Sequence, residues 1–194
     1  MSSFFYRGQF DRYRVSDLKP ALENVVEAYS FPRDASFEFL KQTTVFLSHK
    51  HDDLNDLKGG IGLLENKFNV KVYIDSMDKT MPKVTSGETA TRIKKKINDC
   101  DKFILLATDD AIESKWCNWE LGYGDSLKNE NGNLALFPMT ENRFASYKGN
   151  EYLEIYPHII SKYEYTLPKY SIGEEKYYVQ YKGDLTPLDQ WFSK

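Results

Sequence analysis

Four short apolar runs recur along the chain at nearly constant spacing, and that spacing restricts the fold more than any other feature. They are Thr43-Thr44-Val45-Phe46-Leu47-Ser48, Val70-Lys71-Val72-Tyr73-Ile74-Asp75, Lys102-Phe103-Ile104-Leu105-Leu106-Ala107-Thr108 and Leu134-Ala135-Leu136-Phe137-Pro138. Their centres lie roughly 30 residues apart, the length of a strand–helix–strand unit. Apolar character that runs on, rather than alternating, predicts strands buried on both faces of a parallel sheet.

The stretches between the runs have helical period. Leu54, Leu57, Ile61, Leu64 and Phe68 fall on one helical face, although Gly59, Gly60 and Gly62 weaken that helix. Ala90, Ile93, Ile97 and Cys100 form a second stripe, and Thr85-Ser86-Gly87-Glu88 ahead of it reads as a capping box. Ile112, Trp116, Trp119 and Tyr123 form a third. Strand and helix in this alternation predict an α/β fold with a doubly wound parallel sheet over residues 41–150. Residues 1–40 form an N-terminal extension with one helix, about Val15 to Tyr29, closed by Phe31-Pro32. Residues 151–194 form a Tyr-rich C-terminal extension packing on the sheet domain, with Tyr177-Tyr178-Val179-Gln180-Tyr181 as its last strand.

Composition narrows the function classes. Lys and Arg number 26 against 29 Asp and Glu, for a net charge of −3, which argues against a general nucleic-acid binder. The longest apolar stretches, such as Phe103 to Ala107, fall far short of the ~20 residues of a membrane span. Cys100 and Cys117 match neither a metal-ligand spacing nor a disulfide framework, and the first residues lack a secretory apolar region. The expectation is a cytoplasmic domain.

Ligands of open α/β sheets collect beyond the carboxyl ends of the strands. Those ends supply Ser48-His49, Asp75-Ser76, Thr108-Asp109 and Met139-Thr140. Gly59-Gly60-Ile61-Gly62 lies inside a helical pattern and matches neither a dinucleotide fingerprint nor a phosphate loop. His49-Lys50-His51 has no third partner at metal-ligand spacing, and no Gly-x-Ser-x-Gly elbow supports a serine hydrolase. The sharpest feature is Ser114-Lys115-Trp116-Cys117-Asn118-Trp119-Glu120-Leu121-Gly122. On a helix, Trp116 and Tyr123 share the face of Glu120, and a carboxylate beside aromatic rings loses hydration, which raises its pKa. An exposed glutamate next to core tryptophans fits the same spacing.

Thr44-Val45-Phe46-Leu47-Ser48-His49 resembles the first box of Toll/interleukin-1 receptor (TIR) domains, and Ser114-x-Trp116-Cys117-x-x-Glu120-Leu121 resembles the helix carrying that family's functional glutamate. The resemblance covers residues 42 to 140. Two features depart from it. The second loop, Asp75 to Lys83, keeps only Asp75 and Pro82 of the common Arg-Asp-x-x-Pro-Gly form, and the Phe-Trp third box is replaced by a reversed Trp191-Phe192.

The resemblance implies a flavodoxin-like sheet and one of two activities. Enzymatic members cleave NAD+ at the nicotinamide–ribose bond, and Glu120 stands where their essential glutamate does. Ser48, His49, Asp75 and Lys79 would then line the substrate site, and Trp116 or Tyr123 would stack on a ring. NAD+ enters as substrate, with no bound cofactor or metal implied. The small size resembles prokaryotic stand-alone members, several of which serve anti-phage defence of the Thoeris type by sending a cyclic ADP-ribose signal to an effector. Members often build the site between subunits, so a homo-oligomer is expected. The rival activity is a non-catalytic scaffold acting by self-association. A nucleoside 2-deoxyribosyltransferase-like enzyme and a phosphoacceptor receiver fit the residues less well.

Overall fold

The computed structural model describes residues 4–14, 42–77, 86–147, 149, 151–164 and 174–194. The proposed helix from Val15 to Tyr29 lies outside these residues. Five strands run parallel: β2 (Thr44–Ser48), β3 (Lys71–Tyr73), β4 (Lys102–Ala107), β5 (Leu134–Thr140) and β6 (His158–Glu164). Their order in the sheet, β3-β2-β4-β5-β6, is the flavodoxin-like winding, in which the chain reverses direction between the first and third strands. Every residue of β4 and β5 is buried, which explains why these runs are apolar apart from Lys102 and Thr140 at their ends.

Side chains alternate between two cores because successive strand residues point to opposite faces. Val45, Leu47, Ile104, Leu106 and Phe137 join the core beneath α1 (Leu54–Phe68). Phe46, Phe103, Leu105 and Leu136 join the core beneath α2 (Gly87–Asp99) and the helices that follow β4. At the start of α2 the cap sits one residue later than the sequence pattern indicated. Ser86 is the N-cap and Thr89, rather than Glu88, returns the reciprocal bond. The third stripe is not one helix. Ser114 ends α3 (Asp109–Glu113) and caps α4 (Lys115–Gly124), so Ile112 and Trp116 sit on separate helices.

The glycines of α1 have a use that helix propensity hides. The segment before residue 15 runs as β1 (Phe5–Tyr6), parallel to the end of β5, and then a 3-10 turn, Asp11–Tyr13, laid on α1. A Cβ on Gly62 would stand 1.8 Å from the Tyr13 carbonyl oxygen, and one on Gly59 would stand 2.9 Å from Phe10. Missing side chains therefore form the seat for this segment, whose Phe5 and Phe10 are buried in the α1-side core. At the other end, β7 (Glu174–Tyr181) and β8 (Asp184–Pro187) extend the sheet antiparallel from β6, and α5 (Leu188–Ser193) returns Trp191 and Phe192 to the same core. Among the described residues, no helix is long and apolar enough to cross a membrane.

Candidate active site

The place where the sheet winding reverses, between the carboxyl ends of β2 and β4, opens the crevice in which such folds bind ligands. Ser48 is the last residue of β2 and is fully buried. Opposite it stands Glu120, carried by α4. The cap at Ser114 sets the register of this short helix, accepting from the Cys117 amide, and turns Cys117, Glu120, Leu121 and Gly124 toward the sheet. Gly124 lets the helix lie close, since a Cβ there would come within 2.9 Å of the Phe103 ring.

The Ser48 hydroxyl donates to Glu120 Oε2 at 2.5 Å. Glu120 retains only 2% of its surface, yet among the described residues its Oε1 has no hydrogen-bond partner. Burial pushes its carboxyl up to about 8, the nearby Asp75 charge adds to the rise, and Ser48 and the polar edge of Trp116 pull it back in part. The alternative reading of the sequence is thus inverted: the glutamate is buried and the tryptophans are half-exposed.

His49, the next residue, is also buried. Its Nε2 faces the Ser76 hydroxyl at 3.0 Å, and its Nδ1 faces the Leu47 carbonyl at 3.4 Å and Asp75 Oδ1 at 3.9 Å. Burial lowers the imidazole pKa, while Asp75 and the Leu47 carbonyl oppose that shift. Ser48, His49, Asp75 and Glu120 are therefore brought together. Lys79 lies outside the described residues.

The aromatic residues form a ladder. Trp116 stacks on Trp119 with ring centroids 5.0 Å apart, Trp119 stacks on Tyr123 at 6.3 Å, and Lys94 Nζ lies over both Trp119 and Tyr123. Trp116 borders Glu120, while Tyr123 occupies the far end of the ladder under Lys94. Cys117 is no nucleophile: burial and then the Glu120 charge push its thiol up to about 11, against the pull of hydrogen bonds to Ser114 and Ser48. Among the described residues no cluster of three His, Cys, Asp or Glu side chains could hold a metal.

Two features escaped the sequence reading. Ser76 was visible as a strand-end residue, but its pairing with His49 spans 27 residues. Arg7, in the N-terminal extension, binds the buried Asp53 at 2.9 Å and Asp56 at 2.7 Å, and reaches Glu141 at 2.9 Å. Burial works against the Arg7 charge, but Asp53 and Asp56 hold its pKa above the ordinary value. Asp53 also accepts from Thr108 Oγ1 at 2.6 Å, which ties the segment after β2 to the end of β4. With both its oxygens engaged, one by Arg7 and one by Thr108, Asp53 is a strut between these segments.

A sequence profile described as "TIR domain" matches residues 45–156, more than half of the chain. The chain belongs to the TIR-domain family. A protein of Bacillus cereus (strain MSX-D12) named "Probable 3' cyclic ADP-D-ribose synthase ThsB'" is 27% identical over 157 residues, covering 79% of this chain and 77% of that protein. A Cytobacillus dafuensis protein named "Putative cyclic ADP-D-ribose synthase TIR2" is 30% identical over 86 residues, which cover 43% of this TIR protein and 22% of that one. The profile includes Ser48, His49, Asp75 and Glu120, so all four site residues lie within the matched TIR domain.

Proposed function

We propose that this TIR protein cleaves NAD+ at the nicotinamide–ribose bond, with Glu120 opposing the positive charge that develops on the ribose. Nicotinamide is a cationic leaving group and departs neutral, so no general acid is needed and one carboxylate suffices where ordinary glycosidases use two. Glu120 holds a ribose hydroxyl with its unpartnered Oε1 and stabilises the oxocarbenium-like transition state electrostatically. Ser48 fixes the carboxylate through Oε2. Water capture of the cation gives ADP-ribose, and capture by a hydroxyl or nitrogen of the same nucleotide gives a cyclic isomer. The names of the two relatives support the cyclic product.

The observation that carries this reading is a buried carboxyl with one oxygen unpartnered, its pKa raised to about 8, at the point where the sheet winding reverses. Burying such a group costs stability, and an apolar residue of similar shape would pack at less cost. A scaffold gains nothing from that cost, whereas a site that meets a cation does. We assign the product to anti-phage signalling through a downstream effector, and the protein to the cytoplasm as a homo-oligomer. The free, buried cysteines fit a reducing compartment. The test is incubation of the purified protein with NAD+, following nicotinamide and the mass of the nucleotide product. A cyclic ADP-ribose isomer is expected. Absence of nicotinamide at every pH from roughly 6 to 9, across the range set by Glu120, would refute the reading.

A further inference from the structure

We propose that Ser76 and His49 form the proton-accepting pair for ring closure: Ser76 Oγ takes the proton of an attacking ribose hydroxyl as its own proton passes to His49 Nε2, 3.0 Å away. The proposal rests on the NAD+-cleaving reading and adds to it the feature that sets the ratio of cyclic to linear product.

The tautomer of His49 follows from its surroundings. Among the described residues Nδ1 faces acceptors, the Leu47 carbonyl at 3.4 Å and the Asp75 carboxylate at 3.9 Å, which places the ring proton there. Nε2 is left with a lone pair, and the Ser76 hydroxyl donates to it. Burial keeps the imidazole neutral and able to accept. Ser76 is half-exposed, whereas His49 is buried, so the hydroxyl is the accessible end of a base that solvent does not reach directly. His49 directly follows Ser48, whose hydroxyl holds Glu120 at 2.5 Å, and Asp75, 3.9 Å from His49 Nδ1, also acts electrostatically on Glu120, so the pair belongs to the same site as the carboxylate that generates the cation.

Closure onto a hydroxyl requires such an acceptor. The C–N bond breaks with its electron pair leaving on nicotinamide, and a lone pair of the adenosine-ribose oxygen forms the new C–O bond. The hydroxyl proton moves to Ser76 Oγ and the serine proton to Nε2. The resulting imidazolium faces Asp75 and loses its proton to solvent during turnover. Cleavage itself releases no proton that this pair must take. Loss of the pair therefore slows closure more than it slows nicotinamide release.

The experiment compares wild type with Ser76→Ala, Ser76→Thr and His49→Gln, measuring cyclic product, ADP-ribose and nicotinamide in each reaction. The ratio of cyclic to linear product is read within one sample, so it does not depend on the fraction of folded enzyme. A positioned base contributes on the order of 100-fold or more, so we expect the ratio to fall at least ~10-fold in Ser76→Ala and His49→Gln. Ser76→Thr, which keeps the hydroxyl, restores it to within about 3-fold of wild type. Unchanged ratios in Ser76→Ala and His49→Gln overturn the proposal. So does a covalent ADP-ribose on Ser76 in the intact-protein mass, which would make the serine a nucleophile, and so does a wild type that releases nicotinamide yet yields only ADP-ribose. A wild type that releases no nicotinamide overturns the NAD+-cleaving reading, and this pair with it.

Discussion

Replacing Glu120 by Gln should remove a pH-dependent loss of stability, and its size follows from the site. The Glu120 carboxyl titrates near 4.5 when unperturbed and at about 8 in the folded protein. Between those values the folded state holds a proton that the unfolded chain has released. The folded pKa is raised, so the contribution of this group to stability is full below roughly pH 4.5 and is lost as pH rises to about 8. The slope is about 1.4 kcal/mol per pH unit, so wild type should lose on the order of 4 kcal/mol relative to Glu120→Gln between pH 5 and 8. The change in shape, and the new amide facing Ser48, shift the variant by an amount independent of pH and appear only as an offset. Titrations of groups that do not interact with Glu120 are shared by both proteins and cancel. Urea unfolding followed by circular dichroism at each unit from pH 5 to 9 measures the difference. A difference between wild type and variant that changes by several kcal/mol from pH 5 to 8, against wild type, supports the assignment. Parallel curves would show that burial does not penalise the charged form, and the raised pKa would fall.

Three further outcomes follow from the same geometry. Nicotinamide release per free enzyme, kcat/KM, should rise with pH through about 8 as Glu120 ionises, and Ser48→Ala should move that midpoint to higher pH because the serine bond holds the pKa down. Gly62→Ala, which in an ordinary helix interior stabilises by about 1 kcal/mol, should destabilise this protein in urea, since the added carbon meets the Tyr13 carbonyl. Arg7→Ala should cost about 3 kcal/mol by leaving the buried Asp53 without its cation, and Arg7→Lys should recover only part, because one ammonium cannot span Asp53, Asp56 and Glu141.

What the sequence discloses, and what it conceals, divides along physical lines. β2, β4 and β5 are legible because strands buried on both faces are apolar along most of their length, and β3 adds buried Val72 and Tyr73 after half-buried Lys71. β1 has two residues, and β6 runs from buried Ile159 and Ile160 to exposed Tyr163 and Glu164 beside antiparallel β7, so neither leaves a clean period. The glycines of α1 read as helix weakness because their purpose lies in a segment some 50 residues earlier. Glu120 is legible from its neighbours in sequence, whereas its bond to Ser48 joins residues 72 apart and its burial depends on how α4 closes on the sheet. The Arg7 strut is hidden for the same reason: its partners Asp53 and Glu141 lie 46 and 134 residues away in sequence.

The central claim is that Glu120 breaks the nicotinamide–ribose bond. The most direct measurement is the rate of nicotinamide release from NAD+ at a pH near 8, for wild type and for folded Glu120→Gln. Removing the charge that Glu120 places to oppose the ribose cation should lower the rate by roughly 1,000-fold or more. Equal rates in the two proteins would contradict the account and move the chemistry away from Glu120.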